Sequence, residues 1–246
     1  MKRILIFGAT SLIAQEAAKV FAQARASFFL VGRNADKLAA IKDDLLSRGA
    51  AQVDVLPADL TVIDRHQELF GAALRRLGQI DACLIAHGDN GNQQEGERNP
   101  QEALRTLTTN AASAISLATI LSNYLQQQGS GCLAVISSPA GDRGRKSNYI
   151  YGAAKATVSV FLEGLCHRFY GIPIRILTIK PGLVRTPMLP QALHRHPLAA
   201  HPRDVGRAIA RAMQTGRGVV YVPWFWGPIM GIIKALPEPV FERLNF

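Results

Sequence analysis

Ser138, Tyr151 and Lys155 are the residues of this 246-residue chain whose types and spacing most directly suggest chemistry. Tyr151 and Lys155 are four residues apart, which places them on one face of a helix. A phenol titrates near ~10, so it works at neutral pH only beside a cation that stabilises the phenolate. Lys155 is placed to be that cation, and Ser138 ends the preceding strand. The same pair also occurs on ordinary helices as a buried ring beside a lysine.

The length of 246 residues lies within the range of a single large α/β domain. Hydrophobic residues make up 48% of the chain, which is enough for a sizeable core and argues against disorder. Cys83, Cys132 and Cys166 lie in apolar stretches without a CxxC pair, so we expect buried, reduced thiols in a cytosolic-type protein. Lys2 and Arg3 lead directly into a strand-length apolar segment rather than a signal-peptide core, which favours a cytoplasmic location.

The formal net charge of +10 favours an anionic ligand or surface, such as nucleic acid, a phosphorylated cofactor or substrate, or an anionic membrane. The chain has no zinc-finger spacing, RNP aromatic pattern or dense basic tract, so we expect no nucleic-acid partner. His194, His196 and His201 lie close together, but no cysteine or carboxylate is placed to complete a ligand set. We therefore expect no metal site.

Short apolar segments alternate with segments of helical periodicity. The predicted strands cover residues 3–8, 27–32, 51–60, 79–88, 131–138, 172–182 and 218–223. Helices are predicted between them, the second with Asn34 as its N-cap and Gly49 at its end. This alternation predicts an α/β fold in a single domain, a doubly wound parallel sheet of the Rossmann type, with ligands at the carboxyl ends of the strands.

The predicted domain spans residues 1–223 and includes a mobile substrate lid at about 186–203, where prolines indicate an irregular segment. Residues 224–246 form an apolar, aromatic tail that contains both tryptophans. This tail is too short and too broken by prolines for a convincing membrane span. It suits peripheral membrane contact or the mouth of a lipid-substrate pocket, and a subunit interface is the alternative.

The turn after the first strand is a candidate phosphate site. Gly8 precedes ATSLIA and a helix, whose unpaired N–H groups and dipole would suit a pyrophosphate. Only the first glycine of a three-glycine pattern is present, since Leu12 stands where a second is usual; a plain strand-to-helix turn is the alternative. Arg33 follows the second strand and suits a 2′-phosphate, which favours NADP over NAD. A solvated arginine is the alternative there.

Two polar residues admit two interpretations each. Asp59 could accept a hydrogen bond from an adenine amino group, with Leu60 against the ring, or it could be the N-cap of the next helix. Asn110 lies within a predicted helix, where an amide ordinarily faces water. At the end of a strand near a cofactor, it could instead bind a water that leads protons inward.

The combination of these motifs resembles the classical-type short-chain dehydrogenase/reductase family. The features that match in order and approximate spacing are the Gly8 turn, Asp59, the strand ending at Gly88, Asn110, Ser138, Tyr151xxxLys155 and the PGLVRT segment 181–186. They extend over nearly the whole chain, and their joint occurrence is specific although each is weak alone. The resemblance implies an NADP(H)-dependent oxidoreductase that transfers a hydride between nicotinamide and a carbonyl or secondary alcohol.

The resemblance also implies roles for single residues. Tyr151 would donate a proton to the carbonyl oxygen, Lys155 would lower the pKa of that phenol and bond the nicotinamide ribose, and Ser138 would orient the substrate oxygen. Asn110 would hold the relay water. The cofactor-binding residues implied besides Tyr151 and Lys155 are Gly8, Thr10, Ser11, Leu12, Ile13, Arg33, Asp59, Leu60, His87, Gly88, Pro181, Gly182, Val184 and Thr186. Ser137 and Tyr149 are not expected to take part.

The chain departs from the family pattern at Ile85-Ala86-His87-Gly88, which stands where Asn-Asn-Ala-Gly is usual, so the polar support of this turn must differ. The departures mark a subgroup. The GATSxIA turn, the AHG turn and the stretch GDRGRxSNYxYGAAKA are similar to bacterial reductases of decaprenylphosphoryl-2-keto-erythro-pentose. This similarity implies a bulky or lipid-linked keto sugar as substrate. The aromatic tail and the basic balance of the chain suit a position peripheral to the inner face of the membrane.

Other interpretations stay open at this point. A generic small-ketone or acyl-chain ketoreductase is the alternative within the enzyme class. A non-catalytic dinucleotide-binding protein and a membrane-associated scaffold are the alternatives outside it. We expect a homo-oligomer in each case. Arg143, Arg145 and Lys146, shortly before Tyr151, either face water or meet a phosphate on the substrate.

Overall fold

The computed structural model describes residues 2–244, and a seven-stranded sheet lies at the centre of this range. The strands are β1 (Arg3–Phe7), β2 (Ser27–Gly32), β3 (Gln52–Pro57), β4 (Ala82–Ile85), β5 (Gly131–Ile136), β6 (Ile174–Pro181) and β7 (Gly218–Val222). Every neighbouring pair is parallel, and the order is β3-β2-β1-β4-β5-β6-β7. The predicted doubly wound Rossmann-type sheet is confirmed.

Helices cover both faces of the sheet. They are α1 (Leu12–Gln23), α2 (Ala35–Ser47), α3 (His66–Leu77), α4 (Gln93–Gly96), α5 (Pro100–Leu107), α6 (Ser113–Gln128), α7 (Tyr149–Arg168), α8 (Pro202–Thr215), α9 (Trp226–Ala235) and α10 (Glu238–Phe241). Asn34 caps α2 as expected, because its side chain accepts a hydrogen bond from the Lys37 backbone N–H at 2.8 Å.

The sheet separates two hydrophobic cores, and β1 shows how its side chains divide. Ile4 and Ile6 pack with α1, α2 and α8 on one face, while Leu5 and Phe7 pack with α3, α6 and α7 on the other. All four are at most 2% exposed. A strand buried on both faces is a continuous apolar run, which is the pattern that predicted a covered parallel sheet. The carboxyl ends of the strands form the edge at which ligands are expected.

Some element boundaries differ from the predicted ones. α7 begins at Tyr149, so Tyr151 lies within the first turn instead of opening the helix. β4 is limited to Ala82–Ile85, because its pairing with β1 ends where β1 ends. The polar segment 89–99 contains the short helix α4, which forms because the Asn92 side chain accepts a hydrogen bond from the Glu95 backbone N–H.

One π-helical turn, Thr108–Ala112, joins α5 to α6. The sequence predicted ordinary helix over this range. A π turn widens the helix locally, and such turns are frequent at functional sites. This one carries Asn110, which is 1% exposed, so the alternative in which this amide faces water is wrong.

The tail folds back on the loop that precedes α7, through a set of contacts that we call the Arg143 latch. The Arg143 guanidinium donates hydrogen bonds to the backbone oxygens of Ile233, at 2.6 Å, and Leu236, at 2.7 Å. It also pairs with Glu238 and lies 3.8 Å from the centroid of the Phe241 ring. A cation at the carbonyl end of α9 is favourable for the helix dipole. Arg143 is therefore engaged by the tail, and neither of its expected roles is found.

The two faces of α9 differ. Trp226 and Met230 are buried, and the Trp226 indole lies so close to Gly182 that a side chain at Gly182 would overlap it. Ile232 is 67% exposed, and Trp224 just before the helix is 77% exposed. Among the helices of residues 2–244, none is long and apolar enough to cross a membrane. Residues 245 and 246 of the predicted tail lie outside the described residues.

Replacing Arg143 by alanine is expected to loosen the tail. Hydrogen bonds from a charged group contribute about 1.5–3 kcal/mol, so backbone amides of α9 should exchange with deuterium about 10- to 100-fold faster. Hydrogen exchange followed by mass spectrometry measures this, with the exposed neighbour Lys146→Ala as the matched control. Equal protection of α9 in Arg143→Ala and in the wild type would contradict the latch.

Candidate active site

A cavity of about 370 Å³ opens at the carboxyl ends of the strands, beside the place where the strand order reverses between β1 and β4. Most of the predicted site residues line it. They are Gly8, Thr10, Ser11, Leu12, Ile13, Arg33, Asp59, Leu60, His87, Gly88, Asn110, Tyr151, Lys155 and Thr186. The fold therefore gathers segments from most of the chain around one space.

Four predicted site residues, all within the described range, are not part of this lining: Ser138, Pro181, Gly182 and Val184. Ser138 reaches the site through its hydrogen bond with Tyr151. Pro181 ends β6, and Gly182 after it is covered by Trp226. Val184 is 5% exposed and its side chain packs in the core beside α8, while its cofactor contact stays a prediction.

Ser138, Tyr151 and Lys155 form one connected group at the cavity. Ser138 follows β5, where its hydroxyl caps a short turn by accepting the Ala140 backbone N–H at 3.1 Å, and it also bonds the Tyr151 phenol. The Lys155 ammonium lies 5.6 Å from the centroid of the Tyr151 ring and donates to the Ile136 backbone oxygen at 3.1 Å. The end of β5 and the first turns of α7 thus fix all three side chains.

Ser137 and Tyr149 were not expected to take part, and their side chains have other surroundings. The Ser137 hydroxyl bonds the Lys155 backbone oxygen at 3.1 Å and the Ser159 hydroxyl at 2.8 Å, so this serine anchors α7 to the sheet. Tyr149 is 45% exposed at the start of α7.

The protonation of Tyr151 differs from the sequence-based expectation. Burial raises the pKa of its phenol to about 12; the hydrogen bond from Ser138 opposes this shift, and the negative charge of Asp89 adds to it. Burial lowers the pKa of Lys155 to about 8, with Asp89 opposing. The predicted lowering of the phenol pKa is therefore not found in the chain alone, because burial outweighs the opposing hydrogen bond from Ser138. Tyr151 is held protonated at neutral pH.

Asn110 and Gly88 approach each other closely in the cavity wall. The Asn110 amide oxygen accepts the Asp89 backbone N–H at 3.2 Å, and its amide nitrogen donates to the Thr106 backbone oxygen at 3.1 Å. Gly88 has φ +151°, and a Cβ there would lie 2.5 Å from the Asn110 amide oxygen. Only glycine allows this approach of the loop after β4 to the π turn.

His87 supplies polar contacts in the turn that departs from the family pattern. Its Nε2 lies 2.8 Å from the Ser113 hydroxyl, which donates to the Leu60 backbone oxygen. His66 bonds the same oxygen through Nε2, at 2.9 Å, and the Ser116 hydroxyl through Nδ1, at 2.9 Å. Burial is the main cause that lowers the pKa of His87 to about 3. This buried network joins β4, α3 and α6 beneath the cavity.

Acid is expected to destabilise the protein through this network. The pKa of His87 falls from 6.5 to about 3 on folding, so between these values the unfolded chain binds a proton that the folded chain does not. The stability that the uncharged His87 ring contributes is present above pH 6.5 and is lost as the pH falls toward 3. From pH 7 to pH 5 the loss is about 2 kcal/mol. Urea unfolding at both pH values should show a smaller loss for His87→Gln than for the wild type; equal losses would contradict this origin.

The opposite end of the cavity has the features of a phosphate site. Gly8 has φ +77°, and a side chain there would overlap the His87 backbone. Ser11 is the N-cap of α1, and its side chain makes no capping bond. Arg33 and Lys37 both line the cavity and are exposed there. Lys37 was missed by the sequence reasoning; the available signal was a second cation four residues after Arg33, on the first turn of α2.

Asp59 is the N-cap of neither helical segment that follows. It accepts the Thr61 backbone N–H and the Thr61 hydroxyl, both at 2.9 Å, and so forms an Asx turn at the cavity wall. These bonds, the backbone one most, lower the pKa of its carboxyl. The predicted adenine contact of Asp59 stays a prediction.

Residues 186–201 are irregular with one short 3₁₀ turn, Gln191–Leu193, and α8 begins at Pro202, just inside the end of the predicted segment 186–203. Pro187 and Met188 line the cavity, and the Met188 backbone oxygen accepts a hydrogen bond from the Asn90 side chain at 2.7 Å. The ring nitrogens of His194, His196 and His201 bond local backbone groups. Across residues 2–244, no three or more metal-ligating side chains gather to hold an ion. The role of this segment as a lid stays a prediction.

Sequence comparison identifies the family. The model of the short chain dehydrogenase family matches residues 2–196. A protein described as an uncharacterized oxidoreductase of Mycobacterium tuberculosis is 34% identical over 241 residues, which cover 98% of this chain and 96% of the relative. The chain belongs to the short-chain dehydrogenase/reductase family, so the expected family is confirmed. It is an oxidoreductase.

Solved structures share the fold. Levodione reductase superposes with a TM-score of 0.81 at 22% identity, covering 90% of this chain and 95% of that one. A variant of actinorhodin polyketide ketoreductase, determined with NADPH, also has a TM-score of 0.81, at 21% identity and with the same coverage. At these identities the likeness establishes the common architecture.

A nicotinamide dinucleotide is the cofactor that this family implies, and the residues present fit it. The Gly8 turn leaves space that a side chain would fill, and the first turn of α1 presents its N–H groups to the cavity. Arg33 and Lys37 supply positive charge for a phosphate, while Gly88 and Lys155 border the other end. The donor and acceptor groups match a long, anionic, hydroxyl-bearing molecule.

Proposed function

We propose that this enzyme is an NADPH-dependent reductase of a carbonyl compound, in which Tyr151 is the proton donor. The observation that carries the proposal is the connected group of Ser138, Tyr151 and Lys155 at the cavity, with the phenol held protonated by burial. A proton donor must carry its proton before the reaction begins, and the Tyr151 phenol does so at neutral pH. The direction proposed is carbonyl to alcohol.

Bound nicotinamide would supply the hydride, and the residues of this chain perform the rest. Ser138 orients the carbonyl oxygen toward the phenol, and Tyr151 gives its hydroxyl proton to that oxygen as negative charge develops there. The nearby Lys155 ammonium stabilises the phenolate left behind. Asn110, carried by the π turn, would hold the water that returns a proton to Tyr151.

NADP is proposed over NAD because two cations stand where the second strand ends. Arg33 and Lys37 line the cavity near the start of α2, and together they would hold a 2′-phosphate. The similar ketoreductase determined with NADPH supports this choice. Asp59 and Leu60 would contact the adenine, and the first turn of α1 would hold the pyrophosphate.

The substrate proposed is a bulky, lipid-linked keto sugar. Its support is the similarity of the GATSxIA turn and the GDRGRxSNYxYGAAKA stretch to reductases of such a substrate. The exposed Trp224 and Ile232, on the tail that the Arg143 latch holds beside the loop leading to Tyr151, add to that support. Aromatic and aliphatic side chains of this kind favour contact with a lipid chain or a membrane surface.

The test is a substrate screen in two steps. Fluorescence titration first establishes NADPH binding, and NADPH consumption is then followed with lipid-linked keto sugars, soluble keto sugars, small ketones and acyl-chain ketones. We expect the lipid-linked ketoses to have the highest kcat/KM. A higher kcat/KM for small or acyl-chain ketones would mean that the proposed substrate class is wrong. NADPH binding with no oxidation of NADPH by any carbonyl compound would overturn the proposal that the protein is a reductase.

A further inference from the structure

Asp89 brings a carboxylate to the active-site cavity, and the proposed reaction gives this group no part. Among the described residues that line the cavity, two carry a carboxylate, Asp59 and Asp89. Asp59 lies near Arg33. Burial has the larger effect on Tyr151 and Lys155, but the charge of Asp89 also acts on both and favours their protonated forms. Asp89 therefore belongs to the end of the cavity where the carbonyl would react.

Two contacts fix the Asp89 carboxylate and leave it accessible. Its Oδ1 accepts the Gly91 backbone N–H at 2.9 Å, and its Oδ2 accepts a hydrogen bond from the Arg105 guanidinium at 2.9 Å. A carboxylate has about four acceptor positions, so each oxygen can still accept from one more donor. The side chain is 40% exposed, which leaves space for that donor.

The ion pair with Arg105 does not explain a carboxylate at this position. The Glu102 carboxylate already accepts two hydrogen bonds from Arg105, at 2.7 and 2.8 Å. The side chains of Asp89 and Arg105 are both at least 40% exposed, and exposed ion pairs contribute little to stability. The negative charge also disfavours the phenolate that Tyr151 becomes when it gives up its proton, so it does not assist proton donation.

The loop that carries Asp89 meets the irregular segment 186–201 at the cavity. The side chain of the next residue, Asn90, donates a hydrogen bond to the Met188 backbone oxygen at 2.7 Å. Pro187 and Met188 line the same cavity as Asp89 and Tyr151. The space around Tyr151 is thus bounded by one charged acceptor and by two largely apolar side chains.

An accessible carboxylate selects ligands by the hydrogen-bond donors that they carry. Hydroxyl groups donate to it, whereas a plain ketone offers no donor and an anionic group is repelled. We propose that the Asp89 carboxylate accepts a hydrogen bond from a substrate hydroxyl on a carbon near the carbonyl, and so makes the site selective for hydroxylated ketones. This rests on the proposed function, and it names a residue that would distinguish a keto sugar from other ketones.

Two substitutions separate this role from the ion pair. Asp89→Asn removes the charge but keeps the size of the side chain and an oxygen that can accept from Gly91. Arg105 still pairs with Glu102 in this variant, so we expect it to fold and to bind NADPH within about twofold of wild type. Arg105→Gln is the matched control, because it breaks the ion pair and keeps the carboxylate.

The decisive measurement is kcat/KM for a soluble ketopentose and for analogues in which one hydroxyl at a time is replaced by hydrogen. In the wild type, one analogue should react about tenfold less efficiently than the ketopentose, since a hydrogen bond to a charged acceptor is lost. This difference should fall below about twofold in Asp89→Asn and persist in Arg105→Gln. Equal losses in Asp89→Asn for the ketopentose and every analogue would overturn the proposal, because the charge would then act only on Tyr151 and Lys155.

A binding measurement gives a result that does not depend on turnover. Calorimetry follows the binding of the corresponding pentitol and its deoxy forms to the enzyme saturated with NADP. If the pentitol binds more tightly than one deoxy form only when Asp89 is present, and no carbonyl is reduced, the proposed function is overturned and the role of Asp89 stands. If the wild type reduces ketones with and without hydroxyl groups equally well, the reductase stands and the role of Asp89 is wrong.

Discussion

Tyr151→Phe is expected to lower kcat for carbonyl reduction by about 10³-fold, with the dissociation constant of NADPH within about twofold of wild type. The substitution removes the one hydroxyl placed to protonate the carbonyl oxygen, and proton donation by a positioned side chain contributes about 10²- to 10⁴-fold. The ring keeps its packing in the first turn of α7. Single-turnover oxidation of bound NADPH measures the chemical step, and fluorescence titration measures binding.

Tyr149→Phe is the matched control for this experiment. It removes the same hydroxyl two residues earlier in α7, from a side chain that is 45% exposed. This variant should keep wild-type kcat. If Tyr151→Phe also turns over at the wild-type rate, the assignment of the proton donor is wrong.

Replacing Arg33 and Lys37 together by glutamine is expected to weaken NADPH binding by about 100-fold, with NADH binding changed by less than about threefold. Hydrogen bonds between a charged donor and a phosphate are worth about 1.5–3 kcal/mol, and exposure of both side chains reduces each contribution toward the lower value. Titration with both dinucleotides at low and high salt measures the effect. The advantage of NADPH should shrink as salt is raised in the wild type.

A control variant distinguishes this site from the general charge of the protein. Arg76→Gln removes one exposed cation from α3, away from the cavity. It should leave the affinities for NADPH and NADH unchanged. An equal loss of NADPH and NADH affinity in the double variant would mean that the two cations do not recognise a 2′-phosphate.

The fold could be predicted because each element has a local signal. Apolar runs such as residues 27–32 and a helix cap such as Asn34 depend on neighbours within a few residues, so the seven strands and their alternation with helices were predicted, although the bounds of β4 and α7 differ and α4 was missed. The π turn at Thr108–Ala112 had no such signal. Its Asn110 side chain accepts a hydrogen bond from the Asp89 backbone N–H, a contact between residues 21 apart that is made only after folding.

The sequence predicted which residues meet at the candidate site better than it predicted the pKa of the phenol there. Tyr151, Lys155 and Ser138 meet because four-residue spacing and the end of β5 place them together. The direction of the Tyr151 pKa shift was wrong because burial is a property of the whole fold. The role of Arg143 was missed for a similar reason, since its partners lie about 90 residues further along the chain, as Arg143 and Ile233 show.

The Arg143 latch has a thermodynamic consequence. It joins the tail to the segment between Ser138 and Tyr151, so docking of the tail and ordering of that segment are coupled equilibria. By reciprocity, a surface or ligand that favours the docked tail also favours the ordered segment, and a ligand that orders the segment favours docking; the coupling free energy is the same in both directions. The strength of that coupling is the quantity that Arg143→Ala removes.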